Sequence, residues 1–249
     1  MAAPIAYEQP TLMKAWGVFV AHLPTLMVIW ITAGVLSLLG PVLRGLIFYR
    51  MSMSLDTLDS ADNVSSSLLS YGFWSLELVR LPLIMLTVLV VSLVVAVPAL
   101  YYETGEVISV GHVFAVLFRR PWRYLLASIF FQAIFNFGLF LCILPGVVVL
   151  LMGPVYVTKI FITDVTIFAA FGSSFQVVYR SKRGRAFVAI ELLVIAILLV
   201  LATLLGLVVA PMSLNLEKSF LGIGVIVAIA FSVASFYIQN TAHRQGVLR

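Results

Sequence analysis

The amino-acid sequence predicts an all-α membrane protein with six transmembrane helices arranged as three hairpins, accompanied by short amphipathic interfacial helices. Two features of composition indicate this class: 63% of the residues are hydrophobic and 10% are charged, whereas a soluble domain has roughly 25% charged residues. The third observation is the length of the apolar runs, because about 20 apolar residues in helical form span a bilayer. We expect the 249 residues to form a single integral membrane domain, 1–249.

The first predicted span is preceded by a short amphipathic helix. This helix begins at Thr11, its apolar residues are spaced for one helical face, and Lys14 lies on the other face. We expect it to lie in the membrane interface before Pro24. Span one is predicted at about 24–43, with Gly40-Pro41 kinking or ending it.

A polar stretch at about 50–70 follows and is predicted to be the main external loop. It contains three aspartates, Asp56, Asp59 and Asp62. Span two is predicted at about 81–101. A second short helix then begins at Ser109 and ends in a basic group, Arg119, Arg120 and Arg123.

Spans three and four are predicted at about 124–144 and 146–163. Between them, Pro145 and Gly146 are typical of a helix stop followed by a sharp turn, so we expect a helical hairpin that turns there. The single cysteine, Cys142, lies in an apolar run just before this turn. A disulfide framework or a cysteine-based metal site is therefore not expected.

The last hairpin comprises span five at about 186–210 and span six at about 220–238, followed by a short polar tail. A third short helix, beginning at Thr166, precedes it and leads into the densest basic cluster of the chain, Arg180, Lys182, Arg183 and Arg185.

The short helices that begin at Thr11, Ser109 and Thr166 each precede a two-span hairpin. This pattern predicts three copies of one structural unit. The alternative is that any membrane hairpin tends to be flanked by an interfacial helix, in which case the likeness is coincidental.

Basic residues are distributed unevenly between the two sides that six spans define. The side of the termini holds Lys14, Arg119, Arg120, Arg123, Lys159, Arg180, Lys182, Arg183, Arg185, Arg244 and Arg249, and the other side holds Arg44, Arg50, Arg80 and Lys218. Cytoplasmic segments carry the excess of Lys and Arg in membrane proteins. Both termini are therefore predicted to be cytoplasmic.

Seven of these basic residues are predicted to contact anionic lipid headgroups: Arg119, Arg120, Arg123, Arg180, Lys182, Arg183 and Arg185. They lie in the segments 109–123 and 166–185, which we expect to lie flat on the membrane. The alternative is that these charges are solvated and only set orientation. Because the net charge of +5 comes mostly from residues beside spans, nucleic acid is not an expected partner.

No pattern in the sequence is typical of an enzyme. His22, His112 and His243 are far apart without metal-binding spacing, and there is neither a Gly-x-Ser-x-Gly elbow nor a phosphate-binding loop. We therefore expect no catalytic activity, no bound metal and no cofactor.

Polar residues inside the spans are the candidates for a functional site, because burial in hydrocarbon is costly. Gln132 and Asn136 share one face of span three, Lys159 and Asp164 lie near the cytoplasmic end of span four, and Glu191 lies inside span five. They could line a hydrophilic cavity or ion path, but we favour hydrogen bonding between helices. We further predict an ion pair between Lys159 and Glu191, which would make spans four and five neighbours.

Short motifs within residues 100–190 resemble a bacterial family of six-span membrane proteins. The motifs are Gly105-Glu106 with the helix from Ser109 to Arg120, the turn Cys142-Ile143-Leu144-Pro145-Gly146, and Phe161-Ile162-Thr163-Asp164. The family includes the membrane domain attached to some glycerophosphoryl diester phosphodiesterases and the YciC-like and DUF975-like proteins. Its pattern has a second acidic residue after the aspartate, where this chain has Val165.

The resemblance implies an accessory membrane domain of a bacterial cytoplasmic or thylakoid-type membrane. Without a phosphodiesterase domain, no catalysis carries over. The expected function is a non-catalytic membrane protein that binds or helps assemble other membrane components, with membrane lipids and other integral membrane proteins as partners. The alternative is a small-solute or lipid transporter with a polar cavity inside the membrane.

Overall fold

The computed structural model describes the backbone of residues 4–55, 64–212 and 216–248. It describes the side chains of these residues except those at 44, 47, 48, 50–81 and 205–223. All regular structure in these ranges is helical. The helices are α1 Leu12–Ala21, α2 Leu23–Leu55, α3 Val64–Thr104, α4 Val110–Arg119, α5 Pro121–Leu141, α6 Ile143–Leu151, α7 Gly153–Ile162, α8 Ile167–Phe175, α9 Lys182–Met212 and α10 Leu216–Arg244. A 3₁₀ turn at Pro4–Tyr7 precedes α1, and a π-helical turn at Gln176–Arg180 follows α8.

Five helices in the described part of the chain are long and apolar enough to cross a membrane. The candidate spans are Leu23–Leu43, Pro82–Thr104, Pro121–Leu141, Lys182–Leu204 and Gly224–Arg244. A sixth span is formed if α6 and α7, which bend by 41° at their junction, are taken together. The predicted all-α membrane fold is confirmed.

The spans pack as three helical hairpins, α2 on α3, α5 on α6 and α7, and α9 on α10. Within each hairpin the chain returns to the end at which it entered. We call this end, where residues 119–123 and 180–185 lie, the basic end. The opposite end, which holds Cys142, is the far end.

Three hydroxyl side chains cap the three predicted short helices. The Lys14, His112 and Ala169 amides donate to the hydroxyls of Thr11, Ser109 and Thr166 at 3.2, 3.3 and 3.3 Å. Such capping satisfies an N–H group that would otherwise lack a helical partner. Each capped helix precedes one hairpin, which both the predicted repeat and its alternative expect, so the repeat stays a prediction.

The central hairpin turns at Cys142 and not at Pro145-Gly146 as predicted. Cys142 is extended, with φ −174° and ψ 149°, and separates α5 from α6. Pro145 is in the first turn of α6, where amides have no helical acceptor, so its missing N–H costs nothing. Gly146 serves helix packing instead, because a Cβ on Gly138 would lie 2.8 Å from the Gly146 nitrogen.

The predicted fourth span at 146–163 is broken in two at Met152. Pro154 lies at the start of α7 and has no N–H to continue the helix of α6. Its carbonyl oxygen instead accepts from the Gln239 amide of α10 at 3.2 Å. The break in the span is therefore the place where the side chain of a neighbouring helix, α10, hydrogen-bonds to the backbone.

Other predicted boundaries shift as well. Helix α2 continues through Gly40-Pro41 to Leu55 and α3 begins at Val64, so the predicted loop at 50–70 is largely helical. Its three aspartates, Asp56, Asp59 and Asp62, lie outside the described residues.

The predicted polar tail packs against the protein: Val247 is 1% exposed, and Gly246 turns the chain with φ 68°. A glycine adopts this left-handed conformation without strain.

Candidate functional site

Two arginines join the ends of the central hairpin at the basic end. Arg123 donates from Nη2 to the Thr163 and Val165 carbonyl oxygens at 2.6 and 2.9 Å, and from Nη1 to Asp164 Oδ1 at 3.0 Å. Arg120 also pairs with Asp164. The Arg123 side chain is 18% exposed. The headgroup contacts predicted for both arginines stay a prediction, and Arg123 in addition holds the backbone where α7 ends.

Asp164 lies beyond α7 and is largely exposed. The Arg120 charge, with a hydrogen bond from Arg123, lowers the pKa of the Asp164 carboxyl below its ordinary value. The carboxylate is thus charged at neutral pH and belongs to a surface ion-pair network, not to a polar site within the bilayer.

The predicted pair between Lys159 and Glu191 does not form. Lys159 Nζ donates to Ser173 Oγ of α8 at 2.8 Å. Glu191 is 2% exposed, and its Oε2 has no hydrogen-bond partner among the described residues. The prediction was wrong because α8, which lies between the two spans in sequence, supplies the partner of Lys159.

Glu191 acts electrostatically on Tyr179, in the π-helical turn that precedes α9. The Tyr179 hydroxyl of this turn donates to the Val148 carbonyl oxygen of α6 at 2.6 Å. Burial, with a smaller effect of the Glu191 charge, raises the pKa of Tyr179 to about 12. Glu191 is therefore a buried carboxyl inside a span, with a neutral phenol in the turn that precedes that span.

Gln132 and Asn136 do not join Glu191. The Gln132 amide donates to Asn136 Oδ1 at 2.9 Å, one helical turn along α5. This bond lies within α5 and not between helices as predicted, because residues four apart are neighbours on the surface of one helix. The structure brings together neither a proton path nor a cavity from these three residues.

Some interhelical contacts were missed by sequence reasoning. His22 donates from Nδ1 to the Val18 carbonyl oxygen at 2.8 Å and accepts the Ile108 amide at Nε2 at 3.1 Å, while the Thr25 hydroxyl donates to the Ile108 carbonyl oxygen at 2.8 Å. Burial lowers the pKa of His22, so the ring is neutral. His22 joins the α1–α2 corner to the segment before α4, and no spacing in the sequence reveals this.

A cleft of about 490 Å³ opens at the basic end between the start of α9 and the end of α10. It is lined by Lys182, Arg183, Ala186, Arg244, Gln245 and Gly246. We call it the cationic cleft. Two of the four residues in the predicted basic cluster line it, whereas Arg180 and Arg185 do not. Arg244, 61 residues after Arg183, was not predicted to act with them.

The cationic cleft is suited to an anion. Ser181 Oγ accepts the Gly184 amide at 2.7 Å, so Lys182 and Arg183 are the first residues of α9 and lie at the positive end of its dipole. Arg244, in the last turn of α10, contributes a third cation. Cationic side chains beside a helix N-terminus bind phosphate through charge and N–H groups.

No known protein family, curated protein or solved structure matches the chain. The resemblance to the six-span bacterial family therefore stays a prediction.

Proposed function

We propose that the protein is a non-catalytic integral membrane protein that binds anionic membrane lipid at the cationic cleft and acts as an accessory or assembly component of its membrane. The observation that carries this proposal is the convergence of Lys182, Arg183 and Arg244 from two helices on one cleft at the end of the bundle. Each Lys or Arg near an anionic bilayer surface contributes roughly 1 kcal/mol of attraction. Binding of other membrane proteins rests on the family resemblance.

A transporter of lipid or a small solute is the second candidate. The observation that favours it is the buried Glu191 carboxyl, whose Oε2 lacks a partner. Ionisable residues inside membranes often mark transport paths. The isolation of Glu191 from Gln132, Asn136 and Lys159 supports the first candidate instead.

Lys182→Gln with Arg183→Gln is expected to release anionic lipid from the purified protein. Removing two cations weakens binding by about 2 kcal/mol, which is roughly thirty-fold. The measurement is mass spectrometry of the lipid that co-purifies in mild detergent. Arg180→Gln with Arg185→Gln is the matched control, because it removes the same charge from outside the cleft. Equal losses in both double variants would reduce the effect to diffuse surface charge.

The basic end is proposed to face the cytoplasm, in a bacterial cytoplasmic or thylakoid-type membrane, with both termini on that side. The eleven-to-four distribution of Lys and Arg supports this orientation. Reporter fusions ending at Ser60 and at Arg180 are expected to lie on opposite sides, the second cytoplasmic. Two fusions on the same side would contradict the six-span topology.

A further inference from the structure

An apolar groove of about 990 Å³ runs along the same pair of helices that forms the cationic cleft. One wall is α9, with Leu193 and Ile197, and the second is α10, with Ala230 and Tyr237. The third wall is α1, whose residues Leu12, Met13 and Trp16 are exposed beside the groove. The lining is almost wholly apolar, as the surroundings of a hydrocarbon chain should be.

The groove and the cleft share one face of each helix. On α9, Ala186 of the cleft is followed by groove residues at 190, 193, 194 and 197, which is the spacing of a single helical stripe. On α10, Arg244 of the cleft is 18 residues from Ile226 of the groove. Eighteen residues make about five full turns, so the two side chains point the same way.

The depth of the groove fits one membrane leaflet. Tyr237 is seven residues from Arg244, so the groove begins about 10 Å below the cleft. From Tyr237 to Ile226 it continues for about 16 Å, close to half of the roughly 30 Å hydrocarbon thickness. A phospholipid has a charged headgroup at the interface and acyl chains that extend through one leaflet. The cleft and the groove match this arrangement of charge and apolar surface.

We propose that the cleft and the groove form one site for a single anionic phospholipid, with its phosphate at Lys182, Arg183 and Arg244 and one acyl chain between α1, α9 and α10. This inference rests on the proposed function and adds the class of ligand and its orientation. Within a bilayer the chain gains no hydrophobic free energy, because lipid tails are as apolar as the groove. The groove therefore fixes the position of the lipid, while the cations select its charge.

The test uses phosphatidylglycerol that carries a photoactivatable diazirine near the end of one acyl chain. The 249-residue protein is reconstituted with this lipid in an excess of phosphatidylcholine and irradiated, and its cross-linked peptides are mapped. We expect cross-links in 190–201 and 226–237 at least fivefold above those on the exposed face of α5. Even labelling of all lipid-facing helices would overturn the inference.

Two variants fill the groove from opposite walls, Ala230→Trp on α10 and Leu193→Trp on α9. Each is expected to lower groove cross-linking at least fivefold. Ala196→Trp is the control, because Ala196 is exposed on α9 and is not part of the groove lining. Since Leu193 is 61% exposed, its replacement leaves the core packing intact and the result interpretable.

The outcomes separate the inference from the proposed function. If Lys182→Gln with Arg183→Gln releases the lipid but cross-links never map to the groove, the inference fails and the proposed function stands. If that variant retains the lipid fully, the proposed function fails. If the groove-filling variants dissociate a dimer or a partner protein while retaining the lipid, the groove belongs to a protein and the inference is overturned.

Discussion

Replacing Gly184 with alanine is expected to destabilise the protein by about 3 kcal/mol. A Cβ at this position would lie 2.1 Å from the Val177 carbonyl oxygen and 2.3 Å from that of Val178. Both are backbone atoms of the π-helical turn before α9, so rotation of a side chain cannot relieve the overlap. Because Gly184 follows Lys182 and Arg183 directly, we also expect the variant to lose anionic lipid.

A thermal melt in detergent, with co-purified lipid measured in parallel, checks this prediction. Gly172→Ala is the matched control, since Gly172 lies within α8 and a Cβ there meets nothing within 4 Å. This control should be neutral or stabilising by roughly 0.5–1 kcal/mol, because alanine favours a helix more than glycine does. Equal melting temperatures for the two variants would show that the start of α9 does not pack against the π-helical turn.

Replacing Arg123 with glutamine is expected to cost about 3 kcal/mol of stability. The variant loses two charge-assisted hydrogen bonds to the Thr163 and Val165 carbonyl oxygens, and each such bond contributes roughly 1.5 kcal/mol or more. Arg123→Lys should recover little, because an ammonium group lacks the planar fork that reaches several acceptors at once.

Arg120→Gln is the comparison for this experiment. Arg120 is about half exposed and pairs with the largely exposed Asp164, and pairs of this kind contribute little. We expect its melting temperature in detergent to stay close to that of the unaltered protein. If Arg120→Gln and Arg123→Gln lower the melting temperature equally, the arginines act only through their charge, and the backbone contacts of Arg123 are unimportant.

The features that the sequence predicts well depend on local chemistry. Thr11, Ser109 and Thr166 were expected to begin helices, because a hydroxyl before an apolar run offers an acceptor to the first free amide, and all three do so. The spans were expected because runs of about 20 apolar residues are stable as helices in the hydrocarbon of a bilayer and not in water. Helix boundaries were predicted less well, because a proline is found both just after the end of a helix and in the first turn of the next one. Pro145 was predicted to be the first case and is the second.

Features that depend on the rotation of helices about their axes were not predictable. Lys159 and Glu191 were each expected to need a partner. Charge alone does not show that Ser173 of α8 accepts from Lys159, or that Glu191 Oε2 has no partner among the described residues. The cationic cleft combines Lys182 and Arg183 with Arg244, which lies about 60 residues later in the sequence. The sequence indicated that the basic cluster matters, but not which two of its four members converge with a third.

The central hairpin has a consequence for how the protein enters its membrane. Its charges, among them Arg123 and Asp164, lie at its base, and residues 137–150 around the Cys142 turn contain no charged side chain. Moving a charged residue to the centre of a bilayer costs about 3 kcal/mol on the insertion scale, whereas apolar residues are transferred favourably. In the proposed orientation, with the basic end cytoplasmic, the chain between α2 and α3 takes Asp56, Asp59 and Asp62 across the hydrocarbon during biosynthesis. The turn of the central hairpin has no charged residue to translocate. Helices α5 and α6 can therefore insert together from the basic end, as a folded pair.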